Sequence, residues 1–98
     1  MSATTVIDSA LFRDAFGTPA MRAVFADRAL VQRYVEVEVA LARAEARCGV
    51  IPAAAAEEIA RRASVDGLDW EKLRKETENV GYPILPLVHQ LVEQCGEA

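Results

Sequence analysis

The feature that most limits what this chain can fold into is a seven-residue apolar repeat near its middle. Leu30, Tyr34, Val37, Leu41, Ala44 and Cys48 follow one another at steps of 4, 3, 4, 3 and 4. That spacing keeps one stripe of a helix turned toward a neighbouring helix. Asp27 stands before the run as an N-cap, and Gly49 stands after it, where a helix end often needs positive φ. The repeat predicts a long helix over 28–48. Val31, Val35 and Val39 widen its apolar surface beyond one stripe. Such a helix is expected to have several neighbours, some of them in another subunit.

The remaining helices follow from caps and breaks. Thr18 before Pro19 is an N-cap followed by a first-turn proline, which predicts a short helix over 19–25. Pro52 opens an alanine-rich helix over 52–63, with Glu57, Glu58, Arg61 and Arg62 outward and Glu58/Arg62 as an i,i+4 pair. Ser64 to Leu68 is a turn around Asp66-Gly67. Asp69 caps a charged helix over 70–79 with Trp70 and Leu73 turned inward. Val80-Gly81-Tyr82 breaks it, and Pro83 begins a last helix. Ile84, Leu87, Val88, Leu91, Val92 and Cys95 form one side of that helix. Residues 1–9 carry no clear pattern and are expected to be extended or loose. The expected fold is all-α, with about five helices in a single domain spanning 1–98.

Composition narrows the function. Low aromatic content (6%) and abundant Ala, Leu and Val favour helices over strands. A net charge of −4, with Arg and Glu interspersed, argues against a nucleic-acid partner. No apolar run approaches the roughly 18–20 residues that span a bilayer, so no membrane partner is expected. The N-terminus lacks a basic region followed by an apolar stretch, so no secretory signal is expected and the location is expected to be cytoplasmic. Cys48 and Cys95 are too far apart in sequence for a redox pair or zinc site and are expected to be reduced, buried thiols. The one histidine, His89, lies inside the last helix, and no HExxH spacing or glycine-rich phosphate loop occurs. Residue chemistry alone gives no catalytic residue and no metal site. The Asn79–Tyr82 break is the exception, because a helix N-terminus beyond a flexible glycine presents backbone N–H groups to a carboxylate. A plain structural turn explains the same residues.

The motifs resemble a known family. Leu11-Phe12, Phe16 to Phe25 and Asp27-Arg28 are similar to the opening of 3-carboxy-cis,cis-muconate cycloisomerases. Val35 to Ala42, ending in Gly49-Val50-Ile51-Pro52, resembles the "VE.ALA.A.A..G.IP" helix of the fumarase/aspartase superfamily. Glu76-Thr77, Val80-Gly81, Pro83-Ile84, Pro86-Leu87-Val88 and Gln90-Leu91 resemble the cycloisomerase segment "ET…VG.PI.PLV.QL". The resemblance covers about residues 9–95.

That resemblance implies an N-terminal helical domain from a long homotetrameric enzyme, whose active sites combine segments of three subunits. The tetramer is expected to form through the apolar helix 28–48. The implied reaction adds a substrate carboxylate across a double bond to give a lactone, in protocatechuate degradation, without a metal or organic cofactor. The substrate class is a small carboxylate. The segments "H.GATSQD" and "GSS.MP.K.NP" are absent from this sequence, so the chain is expected to stop before the catalytic motifs and to be inactive alone. Asn79, Gly81 and Tyr82 are the residues expected to help place a substrate carboxylate. Adenylosuccinate lyases carry a histidine after "ET", near where this chain has Asn79; that branch is the alternative within the superfamily. The alternative of another class is a stand-alone helical domain that binds a partner helix through the apolar seam.

Overall fold

The computed structural model describes residues 4–96, all of them in helices, turns and connecting segments, with no strand among them. Helices α1 (Pro19–Val24), α2 (Asp27–Arg47), α3 (Ala53–Arg62), α4 (Trp70–Val80) and α5 (Ile84–Cys95) follow in chain order. These are the five helices expected, displaced by a residue or so at their ends. The chain divides into two compact units, Met1–Leu30 and Val31–Ala98.

In the first unit, residues 1–3 of the expected loose segment lie outside the described residues. The rest of that segment is more ordered than expected. Asp8 N–H donates to Thr5 Oγ1 at 3.2 Å, while Thr5 Oγ1 donates to Asp8 Oδ2 at 2.9 Å. Ser9 Oγ then accepts from the N–H groups of Leu11 and Phe12, leading into a single 3₁₀ turn at Arg13–Ala15. Thr18 caps α1 as its residue type requires, accepting from Met21 N–H at 3.1 Å. Arg22 ties α1 back to the turn through Asp14 at 2.7 Å and the Arg13 carbonyl. None of the described residues in this unit is buried.

The second unit holds the core. Val31 and Val35 of α2, Val65 and Leu68 of the α3–α4 connection, Leu73 of α4, and Leu87 and Leu91 of α5 form one cluster. Tyr34, Val39, Ala63, Trp70 and Ile84 pack around it. α5 lies against both α3 and α4. Its Leu87 is fully buried, and Pro86 beside it is also among the most enclosed side chains.

One expectation needs correcting here, that for Cys48. Within its own unit, α2 turns inward a different stripe from the heptad one. Val37 and Leu41 are 62% and 50% exposed, while Val31, Val35 and Ala42 are buried. Only one stripe of α2 can meet Leu87 and Leu91, and the branched valines take that place. The heptad stripe stays largely on the outside. Cys48 is exposed, because it lies past the last full turn of α2, whereas Cys95 is buried as expected.

α2 ends in a Schellman arrangement. Gly49 takes φ 77°, its N–H donates to the Ala46 carbonyl at 3.1 Å, and Val50 N–H donates to the Glu45 carbonyl at 2.8 Å. α4 begins with Asp69 accepting from Lys72 N–H at 3.0 Å. Acid–base pairs lie along the outer faces of these helices: Glu58 with Arg61 and Arg62, Arg74 with Glu71 and Glu78. Apart from the half-buried Glu58 these groups are exposed, and such pairs contribute little.

The connection between α3 and α4 is fixed in a less obvious way. Gln90 Oε1 accepts from Asp69 N–H at 2.8 Å, and Gln90 Nε2 donates to the Asp69 carbonyl at 3.0 Å. One turn later Gln94 makes the same pair with Ser64, at 2.9 and 3.0 Å. Each side-chain amide matches both hydrogen-bonding groups of one backbone residue. Together they grip the connection at its two ends and press Val65 and Leu68 into the core. Replacing Gln90 with Ala should cost about 1–3 kcal/mol, because it leaves a part-buried N–H and C=O unpaired. The exposed Lys75→Ala should stay within about 0.5 kcal/mol. Urea denaturation of the three proteins checks this, with equal midpoints contradicting it.

Candidate functional site

The site expected at the α4–α5 junction is built from the end of one helix and the start of the next. α4 runs through Val80, one residue further than the sequence indicated, so Val80 joins Asn79 in its last turn and leaves the break. Gly81 closes α4 in the left-handed region at φ 100°, its N–H donating to the Thr77 carbonyl at 2.7 Å. Open space surrounds the position where a side chain at Gly81 would begin. Its glycine is therefore required by backbone conformation alone.

Tyr82 follows at 51% exposure, and Pro83 is the N-cap of α5, without a side-chain cap bond. The first two positions after the cap, Ile84 and Leu85, have N–H groups without intrahelical partners, while Pro86 at the third has no N–H to offer. The structure thus brings Asn79, Gly81 and Tyr82 together on one exposed corner beside the start of α5. This corner can meet a carboxylate on one side. It does not enclose one.

The clefts of the second unit lie elsewhere. An apolar cleft of about 320 Å³ opens between α2, α3 and α5, lined by Leu41, Ala42, Ile59, Val88, Leu91 and Val92 among others. A polar cleft of about 300 Å³ lies beside the glutamine clamp, between Gly67, Asp69, Lys72, Gln90, Glu93 and Gln94. Its amides are engaged by the backbone, so it is a consequence of the clamp.

Electrostatics single out no catalytic group. The Arg33 guanidinium beside Glu36 holds that carboxyl below the usual range, and Arg74 does the same for Glu71. Glu71 and Glu78 in turn push the Arg74 guanidinium further up. All three are solvated surface groups. Burial pushes the Cys95 thiol up, which keeps it protonated and unreactive. His89 is exposed on α5. Among the described residues, no group of three or more His, Cys, Asp or Glu side chains is placed to hold a metal ion. No helix among them is long and apolar enough to cross a membrane.

Sequence reasoning missed Gln90 and Gln94. The available signal was two glutamines one helical turn apart, at the edge of the apolar face of α5. Glu38, which with Glu36 reads in the sequence as part of a solvated charged face, is half-buried with Glu45 at the rim of the apolar cleft.

No family model matches the chain. Characterised relatives do, among them the following. Trans-aconitate decarboxylase 1 of Mycosarcoma maydis is 45% identical over 84 residues, covering 86% of this chain and 17% of that protein. An N-acetyl-S-(2-succino)cysteine lyase of Dickeya dadantii is 40% identical, over 98% of this chain and 21% of its own length. A 3-carboxy-cis,cis-muconate cycloisomerase of Acinetobacter baylyi is 42% identical, over 92% and 20%. Among solved structures, a fumarate lyase from Mesorhizobium sp. BNC1 superposes with TM-score 0.79 at 50% identity, covering 84% of this chain and 19% of that one. The β-carboxy-cis,cis-muconate cycloisomerase of Acinetobacter calcoaceticus superposes with TM-score 0.83 at 40% identity, over 87% and 20%. The chain spans about a fifth of the length of these proteins.

Gly81→Ala should destabilise the chain by about 1–2 kcal/mol through left-handed strain alone. Asn79→Ala, on an exposed helix end, should change stability by less than about 0.5 kcal/mol. Thermal unfolding followed by circular dichroism separates the two; a neutral Gly81→Ala would contradict the strain argument.

Proposed function

Because the chain belongs to the fumarase/aspartase lyase superfamily, we propose that it supplies the N-terminal helical part of a 3-carboxy-cis,cis-muconate cycloisomerase-like enzyme. The observation that carries this reading is the match of the Gly81-to-Leu91 stretch to the cycloisomerase motif, on a backbone that superposes on the Acinetobacter cycloisomerase at TM-score 0.83. In the proposed reaction, an oxygen of one substrate carboxylate attacks a carbon of the diene. A proton is delivered to the neighbouring carbon, α to another carboxylate, and a lactone results. In this reading the groups that move the proton are supplied by other segments of a longer homotetrameric enzyme.

The part of this chain is positioning. Asn79 and Tyr82 offer polar side chains at the α4–α5 corner, and the free N–H groups at the start of α5 favour a negative charge there. Gly81 gives that corner its left-handed turn between α4 and α5.

A second reading has an observation of its own. The Dickeya dadantii relative covers nearly the whole chain at 40% identity. Its name points to a succinyl thioether as substrate, which a lyase would cleave by elimination across the C–C–S unit.

The test is to supply the full-length gene product with 3-carboxy-cis,cis-muconate and follow loss of the diene absorbance. Lactone formation is expected, and so is a KM raised about tenfold or more in Asn79→Ala, corresponding to about 1.4 kcal/mol of lost binding. Turnover of an S-succinyl thioether in its place would favour the second reading. Unchanged kcat and KM in Asn79→Ala would remove the corner from the site.

A further inference from the structure

α4 buries a single residue, Leu73, in its first turn, with Trp70 half-buried just before it. The far end of the helix, where Asn79 stands, buries nothing. Apolar contact has no preferred direction, so this packing sets the rotation of α4 about its own axis only weakly. The directional constraint comes from α5. The buried Gln90 accepts from Asp69 N–H at 2.8 Å and donates to the Asp69 carbonyl at 3.0 Å. Asp69 is also the N-cap of α4, accepting from Lys72 N–H at 3.0 Å. The two helices thus form a hairpin, locked at its open end by Gln90 and turned at its tip by Gly81. The eleven residues of α4 make a rod of about 16 Å between the lock and the tip. A rotation at Asp69 is carried along that rod to Asn79. Gln94 differs, because it grips Ser64 and holds no helix start.

We propose that Gln90 is a positioning residue for substrate binding: through Asp69 and α4 it fixes where the Asn79 side chain meets a substrate carboxylate. The proposal rests on the reading of the α4–α5 corner as the place where that carboxylate is held. Gln90 acts through α4 and not by touching the substrate. The substitution Gln90→Glu isolates this role. A protonated carboxyl has the amide's pattern of one donor and one acceptor, and an ionised one has lost the donor. Burial lifts such a carboxyl above its usual value of about 4.3. The ionisable groups beside it, Asp69, Lys72 and Glu93, line the same polar cleft and are shared with the wild type. The ratio of variant to wild-type KM therefore follows the introduced carboxyl.

The test is made on the full-length gene product, with 3-carboxy-cis,cis-muconate or the succinyl thioether, whichever the wild type turns over. KM and kcat are measured from about pH 5 to about pH 10, a range that brackets a buried carboxyl. The KM ratio for Gln90→Glu is expected to stay near one at the acid end and to rise about tenfold once the carboxyl ionises, with kcat unchanged. Gln90→Met, which keeps the length and loses both bonds, is expected to raise KM about tenfold at every pH. Gln94→Glu should leave KM near the wild-type value. In an Asn79→Ala background, Gln90→Glu should add nothing further, because the side chain it positions is gone. If Asn79→Ala raises KM while Gln90→Glu and Gln90→Met match the wild type throughout, the positioning role is overturned and the corner stands. A Gln90→Glu effect that adds in full to that of Asn79→Ala overturns it too. If Asn79→Ala itself leaves KM unchanged, the corner reading fails, and the role of Gln90 falls with it.

Discussion

The interior of the second unit depends on two glutamine amides one turn apart on α5. Gln90 and Gln94 each satisfy both the N–H and the C=O of a single residue, Asp69 and Ser64, in a connection with no regular structure of its own. A buried connection carries backbone groups that need partners. Here the partners come from a helix 21 to 30 residues away in sequence. With those ends held, Val65 and Leu68 enter the core and complete the cluster around Leu87. The start of α4 is held as well, since Asp69 is both gripped by Gln90 and the N-cap of that helix. Through α4 and α5 the same grip sets the corner at Asn79, Gly81 and Tyr82.

The arrangement separates two kinds of surface. Inside, α2 contributes a stripe of small and branched residues, Val31, Val35 and Ala42. Outside, it leaves Val37 and Leu41 exposed beside Glu38 and Glu45. A helix with one stripe satisfied by its own unit and another left open is suited to serve a larger assembly. The length of the relatives, about five times that of this chain, agrees with that role.

Much of the fold was legible because it is locally encoded. Thr18, Asp69, Gly49 and Gly81 mark helix ends through capping and left-handed backbone, and each does so where the sequence indicated. The choice of stripe on α2 was not legible. The heptad spacing and the valine spacing are both present, and only the long-range meeting with Leu87 and Leu91 decides between them. The glutamine grip was hidden for the same reason: its two halves are distant in sequence, and glutamine on a helix ordinarily faces water. Val65 and Leu68 were hidden inside a segment whose Asp66-Gly67 pair signals an exposed turn. Of the candidate corner, the residues were legible, but the extra helical residue that takes Val80 out of the break was not.

The account's central claim is that this chain is the opening part of a longer superfamily enzyme, and the most direct test is to read the encoding gene past the codon for Ala98. The expected result is an open frame that continues into a segment of the "H.GATSQD" type. A stop codon in its place would contradict the claim and make the 98 residues a complete product, to be understood through what binds its exposed helix faces.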